Sequence, residues 1–244
     1  MDQIKSFIKQ HIFYYLTCTI ILLTMKLFAE RADADTLRFL LAPVSCLVSL
    51  ISGAPFLWEP HVGYVSHDLR FLLAASCSGM NFMMITAGML FFSFWHRIRI
   101  HRRLRILWLP VCLIVSYLYT ILTNVVRIIL AIYLPHYLEK LRLIPIVLSP
   151  DTLHTLIGTG VYSSSLFILY FIIDKSLHKF TRPSLRIPLG WYIGIVWVLP
   201  FVSRILHRNF TGFGRYTIIV WGSCLLICII AKLISVMLMQ KPSN

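Results

Sequence analysis

The sequence predicts an all-α protein, a polytopic transmembrane helix bundle of about seven spans with a kinked or re-entrant second segment. Three observations predict it. Hydrophobic residues make up 58% of the 244 positions and charged residues only 13%, far from soluble-domain averages. The mean hydropathy is +0.80. Apolar runs of roughly 17–25 residues, the length needed to cross a bilayer as a helix, recur along the whole chain.

The first run, Ile12 to Phe28, ends near Lys26, whose ammonium can snorkel to the interface. It has no small-residue cleavage site at its end and reads as a retained span. A charged loop, Glu30 to Arg38, leads into Phe39 to Trp58, which Pro43, Gly53 and Pro55 interrupt. Residues 59–70 are polar and irregular, fit for a small hairpin or surface loop. Met80 to Phe94 forms the third span, and Ile106 to Leu134 the long fourth, closed by Pro135. Leu153 to Ile173 follows, then Leu189 to Leu206 and Tyr216 to Met239. Trp58, Trp95, Trp108, Trp191 and Tyr216 fall near predicted span ends, as an interfacial aromatic belt does.

The net charge of +14 follows from 23 basic and 9 acidic residues. No basic–aromatic platform exists outside the apolar runs, so topology rather than nucleic acid accounts for the charge. Arg97, Arg99, Arg102, Arg103 and Arg105 cluster after the third span, and Lys175, Lys179, Arg182 and Arg186 after the fifth. Both clusters belong on the cytoplasmic side by the positive-inside rule. The start of the third span and the loop 135–152 then lie outside. Seven full spans also put the N-terminus outside, against the weak preference of Lys5 and Lys9. A second segment that does not cross would reverse the N-terminus and leave the start of the third span outside.

Three side chains reach a similar depth under that outer face. Cys77 lies among small residues, Ala75, Ser76, Ser78 and Gly79, at the head of the third span. Arg127 sits inside the fourth span, where a charge costs about 2.5–3.5 kcal/mol on insertion scales and faces a cavity or a partner. Asn124, one turn earlier on nearly the same face, can orient the guanidinium. His154 falls in the first turn of the fifth span, after the helix-start residues Pro150, Asp151 and Thr152, with Gly158 one turn on. A cysteine nucleophile needs a base or cation beside it, which His154 supplies. Acyl transfer also needs donors for the oxyanion, which Arg127 and the N–H groups of Ser78 and Gly79 can provide. The other cysteines, Cys18, Cys46, Cys112, Cys224 and Cys228, have no disulfide or zinc spacing and read as small apolar fillers. No metal or cofactor is expected.

The order AASCSG around Cys77, NVVRI with Asn124 and Arg127, then HTLIG with His154 and Gly158, resembles the exosortase/archaeosortase family of membrane-embedded cysteine transpeptidases. The resemblance covers roughly residues 37–175. It leaves the two C-terminal spans, 189–239, without a family motif inside a single transmembrane domain, 1–244. It implies Cys77, Arg127 and His154 as catalytic residues of a cysteine protease. The implied substrates are exported proteins with a C-terminal sorting signal, made of a short motif, a hydrophobic helix and a basic tail. A thioester on Cys77 would pass to a lipid or glycan acceptor or to water, near the extracytoplasmic face of the inner membrane.

Three other readings remain open. A transporter would line a whole path with polar residues. A scaffold would use Arg127 only to hold helices together. A lipid acyltransferase would share the thiol without proteolysis. His61, His67 and Asp68 could gate substrate access or form a solvated loop. His207, Arg208 and Arg215 could bind lipid phosphates or be simple surface charge.

Overall fold

The computed structural model describes residues 2–95, 107–140, 150–177, 186–198, 201, 204–205 and 213–239. The arginine cluster at 97–105, Lys179, Arg182, His207 and Arg208 lie outside the described residues, as do the side chains of Arg186 and Arg215. Among the described residues there are seven α-helices: α1 (Asp2–Arg31), α2 (Arg38–Ser52), α3 (Met80–Phe94), α4 (Trp108–Lys140), α5 (Pro150–Leu177), α6 (Arg186–Ile193) and α7 (Phe213–Met239). Four stretches, Ile12–Arg31, Ala75–Phe94, Trp108–Leu138 and Leu153–Ser176, are long and apolar enough to cross a membrane. The chain divides into two compact units, Met1–Ile129 and Leu130–Asn244, each described by itself.

In the first unit α3 is the central element, with 89% of its apolar window buried. A helix hydrophobic all round is what such a position requires. Tyr14 and Tyr15 of α1 pack on Trp95, Phe91 and Phe92 at its far end. The opposite side of α1, with Phe13, Leu16, Ile20, Leu23 and Leu27, is exposed apolar surface, as a lipid-facing stripe would be. At the near end of α3, Met80, Met83 and Met84 join Leu37, Leu40 and Leu41 in one buried cluster.

Pro43 lies inside the short α2. Proline lacks the N–H that would reach back four residues to the Phe39 carbonyl. The Tyr117 hydroxyl of α4 donates to that carbonyl at 2.9 Å instead, so the freed acceptor is paired. Gly53, in a left-handed conformation at φ 71°, ends the helix and donates its N–H to the Ser49 carbonyl. At fifteen residues α2 is short, as the interrupted pattern implies. The fourth span differs from expectation, since α4 runs through Pro135 to Lys140. One lost backbone bond does not end a helix whose flanking turns remain bonded.

Residues 57–73 depart from an all-helical fold. They form a three-stranded antiparallel sheet in the order β1 (Leu57–Glu59), β2 (Gly63–Ser66), β3 (Phe71–Leu73). Its turn β1–β2 places Pro60 first and His61 second, with the Val62 N–H bonded to the Glu59 carbonyl. His61 takes φ 61°, an unusual conformation for a side-chain-bearing residue. Asp35 offsets that cost, because its Oδ2 accepts both the His61 N–H at 3.1 Å and Nδ1 at 2.7 Å. Nearby, the Thr36 hydroxyl and N–H hold the Asp33 carboxyl below the usual carboxylate range. With a folded pKa below the unfolded value of about 3.9, this contact stabilises the turn above that pH. The contribution is lost as pH falls through the folded pKa.

One face of the sheet is inward. Trp58 and Tyr64, register partners with ring centroids 4.9 Å apart, pack on the methionine cluster, and Leu73 is fully buried. Gly63, at φ 126°, allows this closeness, since a Cβ there would overlap the Leu73 carbonyl oxygen. Gly63→Ala is therefore expected to destabilise the sheet by about 2 kcal/mol or more, through both strain and overlap. Faster proteolysis between residues 57 and 73, with α1 intact, is the measurement that checks it.

In the second unit, the Tyr192 hydroxyl donates to the Thr159 carbonyl and ties α6 to α5. A π-helical turn, Gly194–Val198, follows α6. The Val196 carbonyl accepts from the Tyr216 hydroxyl of α7; Pro200, four residues on, has no N–H to offer it.

Candidate active site

The chain reaches Cys77 through a short 3-10 turn, Ala75–Cys77, that follows directly from β3. Its N–H donates to the Ala74 carbonyl at 2.8 Å, and that of Ser78 to Ala75 at 3.1 Å. Gly79, at φ 76°, then reverses the backbone and caps α3. A Cβ is disfavoured in that left-handed conformation, which explains a glycine between turn and helix. The Ser78 hydroxyl accepts the Met80 N–H at 3.4 Å. Cys77 thus stands two residues before the cap of a fifteen-residue helix, at its positive end.

Two residues of α4 hold this turn in place. The Asn124 amide donates to the Cys77 carbonyl at 2.6 Å. Its own carbonyl accepts from Arg127 Nη1 at 3.3 Å. Asn124 is fully buried, and Arg127 and Cys77 are each only 7% exposed. The antiparallel run of α3 and α4 creates the juxtaposition, since Phe82, five residues on from Cys77, meets Tyr119, five residues back from Asn124, with ring centroids 6.2 Å apart. Both ends of the Asn124 amide are used, so aspartate could not replace it: a carboxylate has no proton to donate to Cys77.

The sequence-derived residues separate into two sets. Cys77, Ser78, Gly79, Asn124 and Arg127 come together in the first unit. His154 is the fifth residue of α5 in the second unit and has an exposed side chain. Of the oxyanion donors suggested by the sequence, the Ser78 N–H is already bonded to Ala75. Gly79 is the residue that caps the start of α3.

Sequence reading missed a polar line down α4. Ser116, Thr120, Thr123, Asn124 and Arg127 are all buried, and their spacing puts them on one helix face. The opposite face carries Ile114, Leu118, Leu122, Val126 and Leu130, all exposed. Reading the span for polar rather than apolar periodicity would have found it, because a membrane helix can turn its polar stripe inward. The middle of the first unit is therefore not purely apolar.

His61, His67 and Asp68 are exposed in the turns of the sheet, with His67 Nε2 at 3.6 Å from Glu59. Among the described residues, Asp33, Asp35 and His61 bring ligand-type atoms within 4.8 Å of one another. These groups are exposed and already bind one another or Thr36, which suits a clasp between the α1–α2 loop and the first turn of the sheet. The chain matches no protein-family model, no curated protein and no solved structure.

Proposed function

We propose that this protein is a membrane-embedded cysteine peptidase and transpeptidase of the exosortase type. The bundle would have about seven spans, with its site near the extracytoplasmic face of the cytoplasmic membrane. One observation carries the reading: Cys77, at the amino end of the central helix, has its carbonyl bound by Asn124, which in turn holds a buried arginine. A structural thiol needs no such support, whereas a nucleophile must be held within fractions of an ångström of its attack geometry.

The chemistry has two halves. The Cys77 thiolate attacks the scissile carbonyl, and the carbonyl electrons move onto oxygen. Arg127 and the Gly79 N–H stabilise that oxyanion. Collapse of the intermediate breaks the C–N bond and leaves a thioester on Cys77. The departing amine takes a proton from a general acid, the role that the family resemblance implies for His154. An acceptor amine or water then attacks the thioester, gives its proton to that same group, and frees the thiolate. The substrates are exported proteins ending in a short motif, an apolar helix and a basic tail. The acceptor belongs to the membrane surface, as a lipid or glycan amine would.

Mass spectrometry of such an exported reporter, co-expressed with the wild-type chain or with Cys77→Ala, tests this. A new C-terminus in the wild-type sample alone is expected. An uncut reporter in both samples across a panel of tails, or cutting in both, would overturn the reading. The polar line on α4 favours a small-molecule transporter as the second reading. A transporter would leave every reporter intact and would lose flux on Thr120→Val.

A further inference from the structure

Among the described residues β3 is an edge strand of the sheet, and it leads straight into the candidate nucleophile. Leu73 ends the strand, and Cys77 ends the 3-10 turn that begins two residues later. The outward-pointing groups of that strand follow from one contact. A Cβ on Gly63 would overlap the Leu73 carbonyl oxygen, so that oxygen points inward towards β2. Backbone groups of successive strand residues point to opposite edges. The N–H and C=O of Leu72 therefore point away from β2, along the open edge of a sheet whose order is β1-β2-β3.

We propose that the substrate's extended motif binds by adding a fourth strand to β3, pairing its backbone with the N–H and C=O of Leu72. This rests on the peptidase reading and says how that same site receives its substrate. A donor and an acceptor exposed on a sheet edge are matched by any extended peptide, independent of its side chains. Covalent continuity then serves catalysis, because the strand that holds the peptide also leads to the turn that holds Cys77. The three residues of β3 fit an added strand of about three to four residues, the size of a short motif rather than a domain. Its side chains alternate between two unlike faces. The outer face continues the row Leu57–Val65–Leu72, which the register sets side by side, with Leu57 and Leu72 exposed and Val65 half-buried between them. The inner face continues the packed row Trp58–Tyr64–Leu73. Every second motif residue is thus read against packed protein and the intervening ones are less constrained.

The test uses full-length protein and an exported reporter that the wild-type chain cleaves. Leu72→Pro removes the outward N–H while leaving the inward bonds of Phe71 and Leu73 to β2, and proline is tolerated at such edge positions. It is expected to lower kcat/KM by about tenfold or more, mainly through KM. Alkylation of Cys77 by a small maleimide should be unchanged. Leu72→Ala keeps the N–H, so an equal loss in both variants would assign the effect to the side chain and overturn the proposal. So would wild-type cleavage by Leu72→Pro. If Leu72→Pro alters maleimide labelling, a proline scan of the reporter motif decides instead. Intolerance at alternate positions supports strand addition, and intolerance without that alternation overturns it. Cleavage that survives Cys77→Ala would sink the peptidase reading itself, an outcome separate from failure at Leu72. Cross-linking of two chains through Cys introduced at Leu72 in the absence of reporter would identify a second copy as the occupant and also overturn the proposal.

Discussion

Cys77→Ala is expected to bring reporter cleavage to background, a fall of about 10⁴–10⁶-fold in kcat, the scale on which removing a nucleophile acts in enzymes that use one. The variant should still fold. Its backbone carbonyl, which receives the Asn124 amide, is retained, and so are the 3-10 turn and the Gly79 cap. The lost thiol is small, and its burial contributes about 1 kcal/mol. A thermal melt in detergent within a few degrees of wild type, together with absent cleavage, separates chemistry from structure. Cys77→Ser is the stricter comparison, because it preserves shape and polarity but replaces the sulfur nucleophile with a much weaker hydroxyl. Serine at this position should cleave no better than alanine. A scaffold would tolerate both substitutions.

Arg127 carries the second large effect. Arg127→Ala should lower kcat by about 10²–10³-fold, as loss of an oxyanion donor does. The stability change has two opposing parts. Removing a charge from the membrane interior relieves a cost, while the Asn124 carbonyl loses a charged donor at 3.3 Å, a hydrogen bond that contributes about 1.5–3 kcal/mol. Arg127→Lys separates orientation from charge. Lysine retains the charge on a flexible point donor without the planar fork, so it should restore folding while leaving kcat about 10–10²-fold down. Single-turnover kinetics against melting temperature makes the comparison. Equal rates for Lys and Arg would mean that charge alone suffices. Unchanged cleavage in Arg127→Ala would remove the residue from the mechanism.

Much of the fold was legible because the bilayer allows few solutions. A run such as Leu153 to Ile173 must be helical to satisfy its own backbone, and its length follows from membrane thickness. The same physics made Pro43 readable as an interruption and α2 as short. Legibility failed where local rules compete with packing. Pro135 ends an apolar run without ending α4. The strands at 57–73 are three or four residues long, too short for a periodic signal. They depend on burial of Trp58, Tyr64 and Leu73 and on a glycine at 63.

The candidate site divides in the same way. Composition and order alone determined a membrane helix protein with a thiol at the head of one span and an arginine inside the next, since hydropathy and charge are properties of single residues. Only tertiary structure decided that Asn124, not Arg127, binds the Cys77 backbone, and that Arg127 is held through that amide. It also decided that the Ser78 N–H is engaged in a turn and that an edge strand runs into the turn of Cys77. The reason is directional. A hydrogen bond depends on where donor and acceptor point to within a few tens of degrees, and that is set by how α3, α4 and the sheet pack rather than by the spacing of their residues.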